Sequence, residues 1–151
     1  MKKLSRAIAF AAEAHRDVLD KGGKPYILHC LAVMNFAMLI TQDEDVLCAA
    51  VLHDTIEDTD VTRKQIMDLF GWKVLRTVQY VTKRDGESRE DFIKRACSTV
   101  ESAIVKACDI KHNSDLSRIK GITTKDEDRA KRYAQEYIFV RQRLQDFDIF
   151  I

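Results

Sequence analysis

Proline and glycine are scarce in this chain: one Pro and five Gly in 151 residues leave little material for linkers or disordered tracts. No apolar run approaches the roughly 20 residues that a membrane-spanning helix requires. The opening stretch MKKLSRAIAFAAEAH gains Glu13 and His15 too early for a secretion signal and carries no small-residue cleavage site, so a cytoplasmic chain is expected. An excess of one charge is also missing, with 25 basic against 24 acidic side chains and a net charge of +1. That balance argues against binding a nucleic-acid polymer or a membrane surface through broad electrostatics. The four cysteines, Cys30, Cys48, Cys97 and Cys108, show no CxxC spacing and read as reduced thiols in or near the core.

Alternation of apolar and polar residues at a period of two is absent as well. Apolar residues instead recur at three and four positions nearly throughout, which predicts an all-α fold. With 46% hydrophobic and 32% charged residues, the chain suits one globular domain over residues 1–151, long enough to bury a real core. Helices are expected at 3–18, 27–40 and 43–54, with DKGGKP at 20–25 as the clear loop. Thr62 with Gln65 has capping-box spacing, and Gly71 separates that helix from one carrying Trp72, Leu75, Val78 and Val81. Further helices are expected near Ser88 and Val100, and Thr124 with Glu127 predicts a capped start for a long C-terminal helix. Loops at 83–88 and 119–125 are the more mobile candidates.

One stretch breaks the helical monotony. AVLHDTIEDTD, residues 50–60, follows an apolar run with His53, Asp54, Glu57, Asp58 and Asp60. Four carboxylates and an imidazole so close together repel one another and lose hydration if buried, so they need bulk water or a cation. Adjacent helical residues differ by about 100° in direction, so His53 and Asp54 can converge on one point only near a helix end or around a ligand beside the axis. Further donors would have to come from elsewhere in the chain. GKPYILHCLAVM offers His29 among apolar partners, and ESAIVKACDIKHNSDL offers Asp109 with Asn113 one turn later on the same face. His29, His53, Asp54 and Asp109 together make a nitrogen and oxygen donor set without thiolate, suited to Mn²⁺, Fe²⁺ or Zn²⁺ with positions left open for water.

The order H…HD…D resembles that of the HD-domain metal-dependent phosphohydrolases. GKPYILH, AAVLHDTIEDTDVT and VKACDIKHN are similar, in order and spacing, to segments of the hydrolase domain of RelA/SpoT-type alarmone enzymes and the small alarmone hydrolases. The resemblance runs from about Ala7 to Tyr137. It implies an HD-domain helical bundle that removes the 3′-pyrophosphate of (p)ppGpp on one Mn²⁺, giving GDP or GTP and pyrophosphate. Under that resemblance His29, His53, Asp54 and Asp109 hold the metal, and Glu57 and Asp58 orient or deprotonate the attacking water. Lys21, Lys24, Tyr26, Asn113 and Tyr133 are the corresponding substrate-binding candidates. The chain as it stands carries no synthetase segment and is expected only to hydrolyse.

Two positions depart from the pattern: Asp20-Lys21 stands where many relatives have Arg-Lys, and His29-Cys30 where His-Pro is common. A carboxylate at position 20 keeps open a phosphatase acting on another nucleotide, such as a nucleoside monophosphate or the 2′-phosphate of NADPH. A non-catalytic nucleotide-binding module is the third reading. His15 and His112 read as structural or surface residues, Asp60 as the shaper of the turn before Thr62, and Trp72 and Phe70 as core. Lys83, Arg84, Arg89, Lys94 and Arg95 read as a solvated charge run. The apolar tail FDIFI is expected to dock on the bundle or on a second copy of the chain.

Overall fold

The computed structural model describes residues 2–151. Nine α-helices and no strand are found among these residues: α1 (Lys2–Ala14), α2 (Ile27–Met38), α3 (Glu44–Leu52), α4 (Thr55–Asp58), α5 (Arg63–Phe70), α6 (Trp72–Val81), α7 (Arg89–Ala96), α8 (Val100–Asn113) and α9 (Thr124–Asp146). The all-α expectation holds. No helix is long and apolar enough to cross a membrane.

Helix α3 organises the bundle. Every residue from Val46 to Leu52 is buried, and the helix packs against α1, α2, α6 and α8. A helix apolar all round has no solvent face, so its neighbours must enclose it. Those neighbours are amphipathic: α1 offers Leu4, Ala7 and Ala11, and α6 offers Val74, Leu75, Val78 and Val81. The four cysteines are free and buried in this core. Burial pushes the thiols of Cys30, Cys48 and Cys108 up to about 12.

Several boundaries differ from expectation for identifiable reasons. α1 stops at Ala14, because Val18–Tyr26 turns back on itself: Asp20 N–H donates to Lys24 O (2.8 Å) and Tyr26 N–H to Val18 O (2.9 Å). The C-terminal capping box uses Thr123 with Asp126, one residue earlier than the Thr124–Glu127 spacing suggests. The box at Thr62 and Gln65 forms as expected. Thr59, rather than Asp60, shapes the turn before Thr62, accepting from Val61 N–H and donating to Thr55 O. Trp72 is not core: it is 56% exposed, because α6 turns its other face inward, whereas Phe70 is buried. At the tail, Ile149 and Ile151 pack against the bundle and Phe150 is exposed.

Arg95 does not belong to a solvated charge run. Its guanidinium donates to the carbonyls of Gln79, Tyr80 and Thr82 at the end of α6, and holds Glu87 through two bonds of 2.7 Å. This satisfies the orphan carbonyls of one helix from the next and ties the 82–88 loop to both. Arg89 is similarly committed, bidentate to Glu136 on α9. The Arg95 guanidinium holds the Glu87 carboxyl down to about 2, against an ordinary 4.5. A depressed carboxyl stabilises the fold above the unfolded value, and that contribution is lost as pH falls towards the folded one. Glu87→Gln should therefore lower Tm at neutral pH and flatten the loss of stability between about 4.5 and about 2. Arg95→Ala should cost more, about 3 kcal/mol, because buried carbonyls and a carboxylate lose their donor together. Thermal melts across pH check both; an unchanged acid limb in Glu87→Gln would remove the pair from the account.

Candidate metal centre

Three helices each bring part of the constellation to one point. α3 ends at Leu52, His53 caps it, and Asp54 adopts φ −98° and ψ −1°, outside regular helix geometry. That break turns two adjacent side chains onto the same spot, with His53 Nε2 2.9 Å from Asp54 Oδ2. His29 on α2 places its Nε2 3.3 Å from that of His53 and 3.4 Å from Asp54 Oδ2. Asp109 on α8 directs Oδ1 to within 3.4 Å of His29 Nε2 and 3.6 Å of His53 Nε2. Donor atoms of His29, His53 and Asp109 lie within 4.8 Å of one another, all three residues buried.

The surrounding groups prepare these atoms to hold a cation. His53 Nδ1–H donates to Ala50 O (2.8 Å), which turns Nε2 towards the cluster. His29 Nδ1 lies 2.7 Å from His112 Nδ1. Burial, His29 and Arg118 push His112 down to about 4. An uncharged His112 offers an acceptor behind the His29 ring, whose Nε2 is turned towards Asp54 and Asp109 at 3.4 Å from each. Tyr26 Oη donates to Asp54 Oδ2 (2.7 Å) and Asn113 Nδ2 to Asp109 Oδ1 (2.6 Å). Lys106 Nζ bonds Asp109 Oδ2 at 2.7 Å.

The electrostatics agree. Burial opposes ionisation of Asp54 and Asp109, yet for Asp54 the two histidines, and for Asp109 Lys106 and both histidines, outweigh it and hold the carboxyls well below the usual range. Burial equally opposes a charged His53, and Asp54 and Asp109 hold it well above its ordinary value. The pocket thus stabilises positive charge at its centre, and two imidazole lone pairs with two carboxylates are the donor chemistry that a divalent cation takes. The residues fit such an ion.

Glu57 and Asp58 stand on α4 at the rim, both reaching solvent. Partial burial, then Asp54 and each other, raise Glu57, and partial burial followed by Asp54 raises Asp58. Lys21 lies 3.7 Å from Asp126, Lys24 is exposed, and Tyr133 on α9 packs under the guanidinium groups of Arg89 on α7 and of its neighbour Arg132. Among the described residues, none of these three hydrogen-bonds to the donor set. Asp20 accepts from Lys24 N–H and faces Arg118 at 3.5 Å. Two residues escaped the sequence reading. Lys106, inside the apolar run AIVKACDI, signals its role by standing three positions before Asp109. His112 is half-buried behind His29 rather than a bystander, and only the fold reveals that partnership.

An all-helical bundle with a His/Asp cluster for a divalent ion at its centre defines the class. Matching the chain to known families narrows it: the profile described as HD domain covers residues 7–140. The chain belongs to the HD-domain family, whose residues imply divalent-metal binding. Among curated proteins it is similar to the guanosine-3′,5′-bis(diphosphate) 3′-pyrophosphohydrolase of Aquifex aeolicus (strain VF5), 34% identical over 140 residues, covering 89% of this chain and 20% of that protein. It is also similar to the bifunctional (p)ppGpp synthase/hydrolase SpoT of Escherichia coli (strain K12), 33% identical over 124 residues, covering 75% and 18%. The chain spans about a fifth of the length of these relatives. Among solved structures it matches one described as a metazoan ortholog of SpoT that hydrolyzes ppGpp and plays a role in starvation responses, with a TM-score of 0.79 and 24% identity over 97% of this chain and 93% of that one.

Asp109→Asn keeps the side-chain shape but removes the charge, so divalent-metal affinity measured by calorimetry should fall by more than the roughly 10–100-fold typical of outer partners. His112→Ala should fall within that range, and His112→Asn, which restores an acceptor for His29, should recover part of it. Wild-type affinity in Asp109→Asn would remove Asp109 from the donor set.

Proposed function

We propose that the chain is a metal-dependent phosphohydrolase that removes the 3′-pyrophosphate of (p)ppGpp, with Mn²⁺ held by His29, His53, Asp54 and Asp109. The observation that carries this reading is the buried cluster of His29, His53 and Asp109, with half-buried Asp54 against it and two elevated carboxyls, Glu57 and Asp58, on the solvent side. The names of the similar proteins support the substrate. A divalent ion at such a centre polarises phosphate oxygens and makes water more acidic.

The chain's own residues supply the rest. Glu57 or Asp58 accepts the proton of the attacking water, which needs a carboxylate near the donor set but outside it. Tyr26 and Asn113 fix the two aspartates, so their hydroxyl and amide act through those carboxylates. Lys21, Lys24 and Tyr133 are assigned to the substrate side, the lysines as point charges for phosphate. Water attacks phosphorus, the bond to the 3′ oxygen breaks, and that oxygen takes a proton as pyrophosphate leaves. A second reading, a phosphatase for a nucleoside monophosphate or the NADPH 2′-phosphate, rests on Asp20, which puts a carboxylate in the loop beside Lys21.

The experiment is release of orthophosphate and pyrophosphate by the Mn²⁺-loaded protein from ppGpp, NADPH and a panel of nucleoside mono- and triphosphates. Pyrophosphate from ppGpp is expected, with Glu57→Gln lowering the rate by about 10²–10⁴-fold while metal stays bound. Orthophosphate from another nucleotide would favour the Asp20 reading. Silence across the panel with several metals would leave a binding module.

A further inference from the structure

A second feature of the molecule gathers charge without neutralising it. A cavity of about 480 Å³ opens along the solvent face of α6, where Trp72, Arg76 and Tyr80 follow one another at helical spacing. Arg63, at the start of α5, closes one side, and Lys83 and Arg84, from the loop after α6, close the other. Four cations thus face one space with a single acid, Asp85, among its walls, in a chain whose net charge is only +1. The size falls within the range of small-ligand pockets.

Three of these four cations, Arg63, Lys83 and Arg84, have no ion-pair partner among the described residues. Arg76 has one long ion pair, with Glu101 at 3.8 Å, and its Nε has no hydrogen-bond partner. Arg89 and Arg95, on the following helix α7, show the contrast, each saturated by a bidentate carboxylate. Clustered like charges repel one another and add nothing to packing, so an arrangement of this kind is stabilised only when an anion enters it. The ring of Trp72, 56% exposed at the cavity wall, adds a flat surface on which an aromatic group can stack.

We infer that this cavity is a second, separate binding site for a nucleoside polyphosphate, with the phosphates on Arg63, Arg76, Lys83 and Arg84 and the base against Trp72. The site is independent of which substrate the metal centre takes. It is nevertheless placed to influence that centre. A smaller cavity lined by Glu57, Lys83 and Arg84 adjoins it, and Ile56, the neighbour of Glu57, belongs to both. A ligand that draws Lys83 and Arg84 towards α6 changes the surroundings of a rim carboxylate.

Trp72 is the chain's one tryptophan, so its emission reports on this cavity and no other. The test titrates the full chain with GTP, ATP and inorganic tripolyphosphate while following tryptophan emission, with N-acetyltryptophanamide correcting for nucleotide absorbance and calorimetry giving affinities. Wild type is compared with Arg63→Glu/Arg84→Glu, with the milder Arg63→Gln/Arg84→Gln, and with Asp109→Asn. Both arginines are exposed, and circular dichroism verifies that each double variant folds. Expected are saturable quenching by GTP and ATP, the same affinity in Asp109→Asn, and affinity weaker by at least about tenfold in the charge-reversed variant, with a smaller loss in the glutamine pair. Absence of saturable quenching, equal affinity in both double variants and wild type, or loss of binding in Asp109→Asn would overturn the separate site. Nucleotides binding no tighter than tripolyphosphate would overturn the nucleotide assignment.

Discussion

Two aspartates and two histidines meet inside an otherwise apolar bundle, and the surrounding structure exists to make that arrangement tolerable. An isolated charge buried in a protein interior costs so much that it is ordinarily neutralised by protonation. Here the carboxyls stay ionised because each is given specific partners: His53 and His29 on Asp54, which Tyr26 also bonds, and Lys106 with both histidines on Asp109, which Asn113 also bonds. Lys106 is itself buried and lies over the Phe92 ring at 4.8 Å, so its charge reaches Asp109 with little screening. The remaining negative charge faces the imidazoles, and a divalent ion among these groups would complete the balance. The four residues come from α2, the end of α3 and α8, which pack against one another around the centre.

A chain of polar contacts carries the arrangement outwards. His29 leans on His112, Arg118 reaches the ring of His112 and its carbonyl oxygen (3.2 Å), and Asp20 faces Arg118 from the loop after α1. Gly22 lets that loop lie against the 116–118 turn, because a Cβ there would come within 2.7 Å of the Arg118 carbonyl oxygen. Asp20 therefore has a structural occupation: it organises its own loop through Lys24 N–H and faces the guanidinium behind a donor histidine. A cation at position 20 would repel Arg118, so the carboxylate there suits its neighbour in this chain.

Much of this was legible in the sequence, and the exceptions share a cause. Helical periodicity located the elements, and the roughly 100° between His53 and Asp54 let them converge only near a helix end or around a ligand beside the axis, of which the chain takes the first at Asp54. His29 and Asp109 were found as polar residues in apolar helices, a signal that needs no knowledge of topology. Lys106 carried the same signal but pointed to a salt link rather than to a donor. His112 and Arg118 could not be read, because their meaning depends on which helix lies opposite. Trp72 was misplaced for a related reason: an aromatic at helical spacing reads as core, yet α6 buries Val74, Leu75 and Val78 and leaves Trp72 on the far side. Hydrophobicity alone does not say which of two apolar stripes will face inward.

The placement of Glu57 and Asp58 follows from a helix too short to stand by itself. α4 is a single turn of four residues, far below the length at which a helix is stable in isolation. It is fastened from within by Thr55, which is fully buried and donates to Leu52 O at 2.7 Å, and by Thr59 donating back to Thr55 O. The rim carboxylates are thus positioned by two hydroxyls and by the fixed end of α3, not by helix propensity. On their outer side stands the 82–88 loop, which Arg95 and Glu87 tie to α6 and α7. One turn of helix consequently lies between a rigid charged centre and a loop held by a different set of bonds. Glu57 shares a small cavity with that loop, whereas His29, His53 and Asp109 stand on other elements, so the surroundings of Glu57 are set by a different part of the chain from theirs.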